Sequence, residues 1–102
     1  MIKFALFARL EAKPGKETEV AQFLQAALTM ARDEAATPIW FALRLSPGTF
    51  GIFDAFHDEA ARQGHLTGPI AQALMARAPE LFASPPSIES IDVLGLKNNG
   101  AL

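Results

Sequence analysis

Few side chains in this chain titrate near neutral pH: there are two histidines, no cysteine and no tyrosine. One histidine, His65, closes the stretch FDAFHDEAARQGHL, Phe53 to Leu66, in which a strand-like aromatic run meets an acidic helix start. A histidine in such a joint either caps the helix end or works as an acid/base group at a pocket mouth, because imidazole titrates near neutrality. Asp54 is the second candidate. It shares a strand face with Phe50, Ile52 and Phe56, and a carboxylate among aromatic neighbours is costly to bury unpaired. It reads either as half of a salt bridge, with Arg44 across a hairpin, or as a base or orienting anchor. Trp40 and Phe56 are core residues or the stacking walls of a flat-ligand pocket. Arg44, Arg62 and Arg77 read as surface charges or ion pairs, one of them able to hold a phenolate or carboxylate. His57, beside Asp58, is given no role.

What is missing narrows the chemistry. Without cysteine there is no disulfide, thiolate nucleophile or cysteine-ligated metal. The two histidines are eight positions apart, which is not a metal-binding spacing, so no metal is expected. SPGTFG is a hairpin rather than a phosphate loop, and the serines near residues 84–90 stand in no triad context. A formal net charge of −2 with no basic run argues against nucleic acid as a partner. The N-terminus lacks a signal-peptide layout, and no apolar run approaches the roughly 20 residues that span a bilayer. A soluble, cytoplasmic protein is expected.

The elements that must position these residues follow from periodicity. Ile2 to Leu10 alternates, with Ile2, Phe4, Leu6, Ala8 and Leu10 on one face, and Lys13-Pro14-Gly15 ends this strand. A helix over about 16–33 carries Val20, Phe23, Leu24, Ala27, Leu28 and Ala31 as one apolar stripe. Ile39–Leu45 and Thr49–Phe56 form an antiparallel hairpin around Ser46-Pro47-Gly48. Asp58 caps a short helix over 59–64. Pro69 opens a further helix that turns Ile70, Leu74, Ala78 and Leu81 inward, with Pro79 ending or kinking it. Ser87–Leu96 is the last strand. The order β-α-β-β-α-β, with its second helical region split, is an α+β ferredoxin-like pattern: a four-stranded antiparallel sheet with helices on one face. At 102 residues this is one domain, over 1–96, with a flexible tail at 97–102. Several strands are apolar on both faces, and helices cover one. A homodimer packed sheet face to sheet face is the simplest remedy.

Three stretches, FARLEAKPGKETEVAQFL, TPIWFALRLSPGTFGIFDAF and HDEAARQGHLTGPIAQAL, resemble in order and spacing the antibiotic biosynthesis monooxygenase family of the dimeric α+β barrel superfamily. The resemblance covers nearly the whole chain, and its most specific part centres on His65-Leu66. It implies a homodimer with a sheet-to-sheet interface and a pocket between sheet and helices in each subunit. It implies oxidation of small aromatic phenols or quinols by O2 with no cofactor, neither metal nor flavin. His65 and Asp54 would then be catalytic, and Trp40, Phe56 and Arg44 would bind substrate. The family often has glutamate at the position of Asp54, tryptophan at Phe56 and tyrosine near Trp40. Haem-degrading relatives carry asparagine, tryptophan and histidine where this chain has Ala8, Phe56 and Met75, so haem degradation is not implied. A non-oxidative isomerase or cyclase, and a non-catalytic small-molecule-binding dimer, are the alternative readings.

Overall fold

The computed structural model describes residues 1–98 and Gly100. Alternating apolar residues give β1 (Phe4–Glu11), and a turn follows in which the Lys16 N–H donates to the Lys13 carbonyl at 2.9 Å. Gly15 takes φ +86° there, which only glycine adopts freely. Helix α1 (Glu17–Arg32) has Glu17 and Glu19 in its first turn, where negative charge suits the helix dipole. It buries Val20, Leu24, Ala27 and Ala31. The hairpin β2 (Ile39–Ser46) and β3 (Thr49–Phe56) follows, then α2 (Glu59–Leu66), α3 (Pro69–Leu81) and β4 (Ser87–Asp92).

The sheet order is β2-β3-β1-β4, antiparallel throughout, so the α+β ferredoxin-like arrangement expected from the periodicity is present. Ala8 and Leu10 of β1 and Phe50 and Ile52 of β3 form one core with Val20 and Leu24 of α1 and Leu74 and Leu81 of α3. On the opposite face Ala5 and Ala55 are buried beneath Ile39, Phe53, Ile91 and Val93. Among the described residues no helix covers that second cluster, and Phe41 beside it is 47% exposed.

Some boundaries differ from the sequence reading. Strand β4 ends at Asp92 rather than Leu96, because its partner β1 begins at Phe4, which pairs with Asp92. One further bond, Val93 N–H to the Lys3 carbonyl, closes the ladder. Helix α3 runs two residues past Pro79. Its last turn is held from outside: the Lys13 ammonium donates to the Pro79 carbonyl at 2.6 Å, and the Lys13 N–H to the Leu81 carbonyl at 2.8 Å. These bonds offset what the proline removes. Leu28 was expected in the apolar stripe of α1 and is instead 37% exposed. The tail expected over 97–102 falls partly on positions 99, 101 and 102, which lie outside the described residues. Among the described residues no helix is long and apolar enough to cross a membrane.

Candidate active site

The position of His65 follows from two local devices. Asp58 caps α2 by accepting from the Ala61 N–H at 2.7 Å, which fixes where the helix starts. Gly68, Pro69 and the Gly68 N–H to His65 carbonyl bond fix where it stops and α3 begins. This corner is tight: a Cβ on Gly68 would sit 3.2 Å from the Gly64 carbonyl oxygen. Arg62, one turn before His65, anchors the same helix to the sheet. Its Nη1 donates to the carbonyls of Ala5 and Ile91, both at 3.3 Å, and its Nη2 meets Glu59 at 2.6 Å. Arg62 is therefore a buried clamp between α2 and strands β1 and β4; of its two expected roles, surface charge or ion pair, it takes the ion pair, with Glu59.

His65 is turned inward, and both ring nitrogens are engaged. Nε2 lies 2.7 Å from Asp54 Oδ2, and Nδ1 lies 2.7 Å from Glu34 Oε1. The side chains of Asp54 and His65 are 3% and 8% exposed, and that of Glu34 is 19% exposed. Phe56 is fully buried and packs its ring 5.4 Å from the imidazole. Burial alone pulls the His65 pKa down. Hydrogen bonding and charge from Asp54, then from Glu34, outweigh it, and the net shift is upward from the ordinary histidine value. Glu34 sits just past α1, where its own N–H bonds to the Ala31 carbonyl and its Oε1 accepts from Thr37 Oγ1. Three elements distant in sequence thus meet at one buried imidazole.

Asp54 Oδ1 and Glu34 Oε2 are buried without a hydrogen-bond partner. Buried carboxylate oxygens left unpaired are uncommon and mark a place where a donor is wanted. Asp54 and His65 line a small cavity of about 40 Å³ whose other walls are apolar, among them Leu6, Ile52, Leu66, Ile70 and Leu74. Its volume suits a few water-sized molecules. An aromatic ring needs more room than this cavity has, and Ile88 of the edge strand, 46% exposed, is one of its walls.

Of the residues singled out in the sequence, His65, Asp54 and Phe56 come together. Trp40 stands directly across from Asp54 in the β2–β3 register, on the same sheet face, and its indole N–H is buried without a partner. Arg44 does not join them. It pairs with Phe50 in register, lays its guanidinium 4.8 Å from that ring, and borders a separate groove between β2 and α1. The expected Arg44–Asp54 salt bridge is absent because the two sites are four positions apart along the hairpin, about 13 Å. Glu34 is the residue the sequence reading missed. Nothing local separates it from its neighbour Asp33, and its partner His65 is 31 positions away. Among the described residues no cluster of three His, Asp or Glu is placed to hold a metal ion.

Comparison with known proteins fits this architecture. No family model matches the chain, and neither does any curated protein sequence. Among solved structures, a Nitrosomonas europaea protein of unknown function is 57% identical, with a TM-score of 0.94 over 96% of this chain and 95% of that one. The two proteins belong to one family. A proposed antibiotic biosynthesis monooxygenase from Deinococcus radiodurans superposes with a TM-score of 0.75 at 20% identity, covering 93% of this chain and 96% of that one. Another proposed antibiotic biosynthesis monooxygenase, from Bacteroides thetaiotaomicron, gives 0.71 at 19% identity, over 95% of this chain and 92% of that one. The family fold is that of the antibiotic biosynthesis monooxygenases.

Proposed function

We propose that the chain is a cofactor-independent oxygenase that acts on a small phenol or quinol. The observation that carries this reading is the buried Glu34–His65–Asp54 chain, with Asp54 Oδ1 unpaired beside an apolar cavity. Ground-state O2 reacts poorly with closed-shell organic molecules because of its spin. A phenolate is electron-rich enough to give up one electron, after which the phenoxyl and superoxide radicals combine on the ring. Loss of water from the resulting peroxide leaves the quinone, so one phenol and one O2 yield one quinone and one water. The protein has to remove the phenolic proton, hold the ring and exclude water. Asp54, paired with His65, accepts that proton. Phe56 packs against the imidazole, and admission of the ring requires Ile88 to shift.

The working unit in this proposal is a homodimer. The uncovered sheet face, with Phe7, Phe41, Phe53 and Ile91, is apolar enough that a second copy packed against it would remove it from water. A non-oxidative proton-transfer enzyme, an isomerase or cyclase, is the second reading. It is favoured by the same pair, since a buried base serves proton movement with or without oxygen. Oxygen uptake by metal-stripped protein against a panel of hydroquinones and anthrone-like phenols separates the two. The oxygenase reading expects catalytic uptake that Asp54→Asn reduces by at least about 100-fold, the ordinary contribution of a general base. Substrate turnover without oxygen consumption would favour the second reading.

A further inference from the structure

Both ring nitrogens of His65 face carboxylate oxygens at 2.7 Å. A neutral imidazole has one N–H and one lone pair, so it satisfies one carboxylate and turns a lone pair on the other. An imidazolium satisfies both. The remaining surroundings offer no competing charge. Across the cavity β1 presents Leu6 and Ala8, and α3 presents Ile70 and Leu74. Arg62, on the same helix as His65, turns its Nη1 to the Ala5 and Ile91 carbonyls and its Nη2 to Glu59, while its Nε is buried without a partner. The charged groups facing the ring are therefore Asp54 from β3 and Glu34 from the segment after α1.

We infer that Glu34 is a positioning residue: by accepting the hydrogen bond that Nδ1–H donates, it holds His65 as an imidazolium, and so makes Asp54 Oδ1, rather than His65, the atom that takes the proton from substrate. The substrate O–H bond breaks, its proton goes to Oδ1, and the electron pair stays on the substrate oxygen. The imidazolium keeps both of its protons and lies next to the developing negative charge. Glu34 does not line the cavity and acts through the ring. The catalytic consequence rests on the proposed oxygenase reading, whereas the charge state of His65 does not.

The test is nitrogen-detected NMR of the imidazole rings across pH, on the full chain, with oxygen uptake measured in parallel. In the wild type His65 carries protons on both nitrogens at pH 7, and its midpoint lies above the ordinary histidine value. In Glu34→Gln the His65 midpoint moves to lower pH, and the pH profile of kcat moves with it, so activity lost at neutral pH returns on acidification. A merely structural role would lower activity at every pH. A neutral His65 in the wild type, which needs no variant to observe, overturns the inference. So does an unmoved midpoint in a folded Glu34→Gln. The expected NMR result together with a wild type inert toward oxygen upholds the hold of Glu34 on His65 and overturns the oxygenase reading.

Discussion

At the scale of single residues, two facts decide how the site behaves: how far each group is buried and what stands beside it. Asp54 stood out in the sequence as a carboxylate among aromatic neighbours and His65 as one of two groups that titrate near neutrality, and burial made their pairing nearly obligatory. Glu34 carried no such signal, since acidic residues after a helix are usually solvated. The Arg44 partnership was excluded by counting along the hairpin: with Asp54 opposite Trp40 and Arg44 opposite Phe50, no side chain spans the gap. Stability should report the His65 charge directly. Its folded-state pKa is raised, so its contribution is complete below the unfolded value of about 6.5 and is lost as pH rises through the folded value. The stability of the wild type over His65→Gln, measured by urea unfolding from pH 5.5 to 9, should therefore shrink as pH rises. A constant difference would contradict the imidazolium assignment.

At the scale of elements, periodicity located each helix and strand, and the errors fell at ends that depend on partners. Strand β4 stops where its antiparallel partner β1 begins, and α3 passes Pro79 because Lys13 holds its last turn. Neither partner is adjacent in sequence. The two central strands also show a packing constraint that alternation did not reveal. A Cβ on Gly51 of β3 would lie 2.9 Å from the Phe7 ring and 3.3 Å from the Ala8 carbonyl oxygen on β1. The ring can shift and the carbonyl cannot easily do so. Gly51→Ala should destabilise the fold by about 1–3 kcal/mol, the usual cost of overpacking. Its urea midpoint checks this, and a midpoint equal to wild type would show that the strands have slack there.

At the scale of the whole molecule, the open sheet face is the main feature left unpartnered by this chain alone. The apolar character of both strand faces was legible from alternation, and the structure adds that Ala5 and Ala55 lie buried beneath larger neighbours while Phe41 stays exposed. A second copy would extend that burial. Sedimentation should give a dimer for the wild type, and Phe41→Glu should shift it toward monomer by burying an unpaired charge. A wild-type monomer at micromolar concentration would remove the dimer from the account.

The central claim is that a buried carboxylate, held by His65, prepares a phenol for oxygen. The most direct measurement is oxygen uptake by metal-stripped wild-type protein with hydroquinones and anthrone-like phenols, with Asp54→Asn alongside. The expected result is catalytic uptake, one O2 per quinone formed, and near-complete loss in a variant that still folds. Uptake unchanged in Asp54→Asn, or none with any substrate that demonstrably binds, would contradict it.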